Sequence, residues 1–208
     1  MEIFFINNAD EQKKKSSVLI VSICIYLFIY IDRPWESIKY LQELQVERIV
    51  AITMILVAIM INKFKIVSSP TNKWVYSLLA LHFVLAPFAL NPGNSVNQGI
   101  EYAKMVVLYL LMIAVSDDEE ALKVLVKMFV FVMIFYLLHS LWEFHNGRHD
   151  YKMGITRMMG VGNKESDPNA FGASIVLSLP FVYAIYRTEA SIALRWLYAI
   201  YSALVVFC

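Results

Sequence analysis

The feature that most constrains this chain is a series of apolar runs separated by short charged or turn-forming segments. The runs cover residues 18–31, 49–61, 74–90, 100–115, 124–142, 170–186 and 192–208. Because 59% of the residues are hydrophobic and only 17% are charged, one water-soluble core cannot hide them, and the bilayer must act as the solvent. The sequence therefore predicts an all-α membrane protein, a polytopic bundle of about seven transmembrane helices that forms a single transmembrane domain over residues 1–208.

The charges indicate which way the chain enters the membrane. Three lysines at 13–15 precede the first apolar run, and the loop after the second run carries Lys63, Lys65 and Lys73 with no acid. Positive residues favour the cytoplasmic side, so the N-terminus is expected inside. No small-residue cleavage site follows the first run, which predicts a retained span rather than a signal peptide. Apolar residues at three-residue steps over 35–44 predict a short interfacial helix.

Several partners and cofactors are not indicated. The formal net charge is +1 with no basic stripe, which argues against nucleic acid and leaves the lipid bilayer as the main partner. Neither Cys24 nor Cys208 belongs to a disulfide or metal pattern. The acids at 117–120 are explained by helix capping, with Ser116 as the expected N-cap and a metal ion as the lesser alternative. His145 and His149 have a metal-like spacing, but Asn-Gly between them breaks the helix that would align their rings.

The polar residues best suited to chemistry lie in the loop predicted to be external, residues 143–169. Asp167 followed by Pro168 predicts the start of a helix, because aspartate caps orphan amides and proline suits the first helical position. Arg157 precedes this start, among glycines at 154, 160 and 162 that permit tight bends. An arginine, a bendable loop and a helix N-terminus together favour an anion site.

This loop resembles the signature of a known family. The segment 157–160 reads Arg-Met-Met-Gly, and after a spacer with glycine the segment 167–172 reads Asp-Pro-Asn-Ala-Phe-Gly and enters an apolar run. That pattern resembles the O-antigen ligase and polymerase superfamily, which are multi-pass glycosyltransferases of the bacterial cytoplasmic membrane. Arg33-Pro34 after the first run is also similar to the family, although a plain interfacial stop explains it equally well. The match covers the order of the apolar runs as well as the loop.

The resemblance implies a reaction and a set of residues. A glycan on undecaprenyl pyrophosphate would be transferred to a hydroxyl of a sugar or lipid acceptor, without metal, cofactor or nucleotide sugar. Arg157 would be catalytic, because an arginine fork matches the oxygens of the pyrophosphate leaving group. The residues expected to bind substrate are Lys104, Gly160, Asp167 and Asn169. The family's acceptor-activating histidine lies in a later external loop, so no base is assigned. The chain is expected to be the N-terminal part of a longer protein and inactive alone.

Other interpretations stay open. Asp167 could hold Arg157 in a structural salt bridge, and Lys104 could simply extend its charge to the interface. His82 is expected to be a packing residue, and His139 has no motif around it. A multi-span transporter, a flippase or a non-catalytic subunit of a polysaccharide-export assembly would also fit the composition. Transporters bury ionisable groups near the middle of the membrane, whereas these apolar runs carry few charges, so the enzyme is favoured.

Overall fold

The computed structural model describes residues 2–34, 46–60, 69–116, 118–161 and 167–207. For residues 2–16, 47 and 116 it describes the backbone only. Over these ranges the chain is mostly helical. Seven α-helices are α1 Glu2–Asp32, α2 Val46–Met60, α3 Pro70–Leu85, α4 Pro92–Ser116, α5 Glu119–His145, α6 Pro168–Thr188 and α7 Ile192–Phe207. A 3-10 turn at Ala86–Phe88 follows α3. The interfacial helix predicted over 35–44 lies outside the described residues.

Three helices are long and apolar enough to cross a membrane, namely Pro92–Val115, Glu119–His145 and Pro168–Thr188. The other apolar stretches found in the described ranges are shorter: Ser17–Asp32, Arg48–Met60 and Ile192–Phe207. A helix rises about 1.5 Å per residue, and the hydrocarbon core is about 30 Å thick, so these stretches are short of a full span. The membrane character is confirmed to this extent. The prediction of about seven transmembrane helices is not supported, because four of the seven helices lack the required apolar length within the described residues.

The prediction of an all-α fold also needs a correction, because the loop before α6 contains a β-hairpin. Strands β1 Asp150–Lys152 and β2 Ile155–Arg157 pair antiparallel, with Asp150 opposite Arg157. Met153 and Gly154 form the two-residue turn with φ of 56° and 79°. Positive φ at both central positions gives the twist that a tight hairpin needs, and glycine adopts it without a steric penalty. Gly154 therefore forms a fixed turn.

The predicted start of α6 is confirmed. Asp167 caps it by accepting a hydrogen bond from the Asn169 amide at 3.0 Å, and Pro168 occupies the first helical position. Ser69 caps α3 in the same way, accepting from the Asn72 amide at 3.1 Å, again with proline next. Both starts are local features that the sequence carries within three residues.

Two other helix starts differ from the prediction. The residue types Asn-Pro-Gly-Asn at 91–94 predict a tight turn. The segment instead begins α4 at Pro92, with the Asn91 side chain accepting from the Asn94 amide at 3.1 Å. Helix α4 runs on through Ser116, and α5 is capped by Asp118, whose carboxylate accepts from the Glu120 amide at 3.0 Å. Ser116 was therefore wrong as the N-cap of α5, because Asp118 lies next to the first helical residue and Ser116 lies within α4.

The chain divides into two compact units, Met1–Ile23 with Ile49–Leu122, and Cys24–Arg48 with Lys123–Cys208. In the first unit α3 packs on α4. The Tyr109 hydroxyl donates to the Asn72 side-chain oxygen at 2.8 Å. Gly99 lets the helices approach closely, since a Cβ there would lie 3.2 Å from the Phe83 ring.

The second unit has its core between α5, α6 and α7, with Ile31 at the end of α1 packed against it. Helices α5 and α6 are antiparallel, because Phe129 packs on Phe181 at 5.2 Å between ring centroids and Tyr136 packs on Phe171 at 5.5 Å. Helices α6 and α7 share a buried hydrogen bond between the Ser178 and Tyr201 hydroxyls at 2.6 Å. This arrangement brings the C-terminal end of α5 and the N-terminal end of α6 to the same end of the unit.

Candidate functional site

Arg157 is the last residue of β2 and is partly buried. Its loop is held against the second unit, because Val161 is only 2% exposed in the core cluster that contains Tyr136 and Phe171, and Met158 packs against that cluster. Within the described residues the Arg157 side chain has no hydrogen bond or ion pair, and none joins it to Asp167. The loop that carries Arg157 is therefore anchored on the core, and the guanidinium group has no anionic partner among the described residues.

The three other predicted site residues of this loop lie around the start of α6. Gly160 is buried, whereas Asp167 and Asn169 are exposed. The Asp167 carboxylate already occupies the positive end of α6 by accepting from the Asn169 amide. A phosphate would meet a like charge at that position, so Asp167 acts as a cap, and Arg157 is the better anion-binding group. The spacer 162–166, which includes Lys164, lies outside the described residues.

Lys104 belongs to the first unit, where its ammonium group bonds both Glu101 oxygens at 2.9 and 3.0 Å. The Lys104 side chain is only 16% exposed. The three-residue spacing along α4 explains this pair, because residues three apart lie on one helix face. Its predicted role in substrate binding remains a prediction.

A second polar grouping lies in the second unit, between the end of α1 and the end of α5. The His139 Nδ1–H donates to Asp32 Oδ1 at 3.0 Å, and the Asp32 side chain is only 2% exposed. A buried carboxylate is costly unless it is paired, so this contact stabilises Asp32. When the imidazole is neutral and Nδ1 carries its proton, Nε2 is the nitrogen with the lone pair.

The far side of His139 faces a carboxylate that has its own partner. His139 Nε2 lies 4.0 Å from Glu143 Oε1, too far for a direct hydrogen bond, and the other Glu143 oxygen bonds Arg148. Gly147, with φ of 93°, ends α5 and turns the chain so that Arg148 lies beside Glu143. Asp32, His139, Glu143 and Arg148 thus lie side by side, with hydrogen bonds joining Asp32 to His139 and Glu143 to Arg148, and we call these four residues the His139 network.

Arg33 continues this end of α1. Its backbone has a φ of 49°, and its Nε donates to the Tyr30 carbonyl at 3.2 Å. The guanidinium carbon lies 5.8 Å from the centre of the Tyr30 ring, within the range of a cation-π contact. The left-handed backbone at Arg33 ends the helix directly after Asp32.

The His139 network and the Arg157 loop share one end of the second unit. His139 follows Tyr136 by one helical turn, and Asp167 precedes Phe171 by one turn, while Tyr136 and Phe171 are in contact. Because α5 and α6 are antiparallel, both steps lead toward the same end. Sequence reasoning missed the network because Asp32 and His139 are 107 residues apart. The available signals were an acid ending one apolar run and a histidine near the end of another.

The fold and these contacts define a mostly helical membrane protein with a group of ionisable residues and a partly buried arginine at one end of its second unit. Neither a protein-family model, nor a curated protein, nor a solved structure matches the chain.

Proposed function

We propose that this chain is a membrane glycosyltransferase of the O-antigen ligase or polymerase type, which transfers a glycan from undecaprenyl pyrophosphate to an acceptor hydroxyl. The observation that carries the proposal is that Arg157 and His139 lie at the same end of the second unit. Arg157 has no anionic partner among the described residues, and His139 is oriented by a buried carboxylate. The resemblance of the Arg157 loop to the family signature supports the same reaction.

During transfer, negative charge develops on the departing pyrophosphate, and the acceptor hydroxyl loses its proton. We assign the first role, stabilising the pyrophosphate, to Arg157 and the second, accepting the proton, to His139. The acceptor oxygen attacks the anomeric carbon, and the bond from that carbon to the pyrophosphate oxygen breaks with its electron pair. Arg157 stabilises the departing pyrophosphate through two parallel N–H donors. His139 Nε2 accepts the proton from the acceptor hydroxyl, and Asp32 stabilises the resulting imidazolium. Arg148 neutralises Glu143, which keeps that acid from competing for the proton.

The proposal includes a topology. Seven spans with the N-terminus in the cytoplasm would put the Arg157 loop on the outer side of a bacterial cytoplasmic membrane. The four helices without a full apolar span among the described residues would then cross with local thinning of the bilayer or with flanking residues that extend to the interface. In this arrangement Gly160 and Asn169 line the donor site near Arg157.

Conservative substitution of Arg157 tests the reaction. A lysine keeps the charge but loses the fork, so Arg157→Lys should slow glycan transfer roughly a hundredfold, about 3 kcal/mol of transition-state stabilisation. Polymer yield and accumulated lipid-linked donor would be measured in cells that depend on this gene, with protein levels followed by immunoblot.

The matched control is Lys152→Gln, which removes an exposed charge from the same hairpin. This variant should retain normal polymer yield. Wild-type transfer by a well-expressed Arg157→Lys variant would remove Arg157 from the site and would leave the proposed reaction without its main support.

A further inference from the structure

A groove between α6 and α7 opens toward the end of the second unit opposite Arg157. Its inner part has a volume of about 350 Å³, and an outer part of about 240 Å³ adjoins it through the shared residues Tyr186 and Ala199. The wall of the inner part is almost entirely apolar or aromatic: Leu179, Val182, Tyr183, Tyr198 and Ser202. These volumes are in the range of small-ligand sites, roughly 300–1,000 Å³ when taken together.

The outer part of the groove ends at a positive mouth. Arg195 and Trp196 line it, and the Trp196 side chain is 66% exposed. Arg195 Nε donates to the Glu189 carbonyl at 2.7 Å, and its guanidinium lies 6.0 Å from the Tyr186 ring centre. Both terminal nitrogens of Arg195 are without a hydrogen bond within the described residues. The guanidinium group is therefore held through Nε, and its two terminal nitrogens remain able to donate.

The acid nearest to this mouth is already engaged. Glu189 pairs with Lys127 at 2.9 Å and accepts from the Ser191 amide at 3.3 Å. In the described part of the chain neither Arg187 nor Arg195 has a salt bridge, and Arg187 instead lies 6.0 Å from the Tyr183 ring centre. The mouth thus carries the positive charge of Arg195, which no acid among the described residues neutralises.

We propose that this groove binds an anionic phospholipid. The phosphate lies on Arg195, and one acyl chain runs along the tyrosine-lined wall toward Ser202. Basic groups between membrane helices favour anionic head groups, and tryptophan and tyrosine belong at the membrane interface. The proposal does not depend on the proposed function, because the groove and the Arg157 loop lie at opposite ends of α6.

Quenching of Trp196 fluorescence tests this site. The other tryptophans, Trp35, Trp74 and Trp142, are replaced by phenylalanine, and the protein is placed in phosphatidylcholine nanodiscs with a tenth of the lipid brominated on its chains. Brominated phosphatidylglycerol should quench Trp196 at least about twofold more than brominated phosphatidylcholine, because basic sites attract anionic lipid. Arg195→Gln should abolish the difference.

The groove itself is tested by filling it. Ala199 is exposed and borders both parts of the groove, so Ala199→Phe should reduce quenching by both lipids. The controls are Ala193→Phe, which lies on α7 outside the lining, and Lys152→Gln at the other end of the unit. Both controls should behave like the parent protein.

Native mass spectrometry of the otherwise unchanged chain gives a second measurement that does not depend on the tryptophan replacements. Phosphatidylglycerol should remain bound in preference to phosphatidylcholine, and Arg195→Gln should lose that preference. Equal retention of the two lipids, or a preference that survives Arg195→Gln, would overturn the proposal.

Discussion

At the scale of single residues, His139 differs from His82 in the partner that its ring contacts. His82 bonds the Leu78 carbonyl at 2.9 Å within its own helix, as a packing histidine does. His139 instead joins α5 to the buried carboxylate of Asp32, which ends α1. The Asp167 cap could be predicted because it depends on adjacent residues. The Asp32–His139 contact could not, because it exists only once two distant helices have packed.

If Asp32 positions His139 for proton transfer, the two residues should act as one unit. Asp32→Asn keeps the shape but no longer holds the proton on Nδ1, so we expect roughly a hundredfold loss of transfer, similar to that of His139→Gln. The double variant should be little worse than either single one, because such effects are not additive.

The readouts for this pair are polymer yield, its pH profile and the melting temperature of the purified protein. A positioning role predicts an altered pH profile in Asp32→Asn at nearly unchanged melting temperature. Normal transfer in both single variants, or loss that tracks the melting temperature alone, would show that the pair is only structural. Glu120→Gln, an exposed acid at the other end of α5, is the control.

At the scale of elements, the apolar runs predicted where the helices lie, because a run long enough to bury its backbone in lipid must be helical. The runs did not predict helix lengths, since polar caps such as Asn91 and Asp118 extend or shift the starts. The hairpin was missed for a related reason. Met153-Gly154 is not one of the usual turn pairs, and its strands are only three residues long.

Glu189, in the loop between α6 and α7, forms an ion pair with Lys127 of α5. This ion pair predicts that the stability of the fold depends on pH. The hydrogen bond from Lys127, then that from the Ser191 amide, holds the pKa of Glu189 below its ordinary 4.5. A lowered pKa in the folded state stabilises the fold above pH 4.5, and this contribution is lost as the pH falls through the lower value.

Melting temperatures between pH 6 and pH 3, on either side of the ordinary carboxyl pKa of 4.5, would measure that contribution. At pH 6, Glu189→Gln should have a lower melting temperature than the parent chain, and at pH 3 the two melting temperatures should be similar. The melting temperature of Lys127→Met should depend less on pH than that of the parent chain. Parallel pH curves for Glu189→Gln and the parent chain would contradict the assignment.

At the scale of the whole molecule, composition alone was enough to predict a helical membrane protein. The number of complete spans was not predictable in this way, because hydropathy counts apolar residues without showing where a helix is interrupted. The division into two units likewise depends on contacts between distant segments. The proposed reaction depends on Arg157 and His139, both in the second unit, so the central claim concerns Arg157 and the end of the unit that it shares with His139.

Binding of undecaprenyl pyrophosphate to the purified chain in nanodiscs tests that claim most directly. Charge-assisted hydrogen bonds contribute roughly 1.5–3 kcal/mol, so Arg157→Gln should weaken binding by at least about tenfold. Lys152→Gln should bind as the parent chain does, and undecaprenol, which has no phosphate, should not compete. Saturable binding with this pattern is the predicted result. Equal affinity of the parent chain and Arg157→Gln for undecaprenyl pyrophosphate would contradict the account.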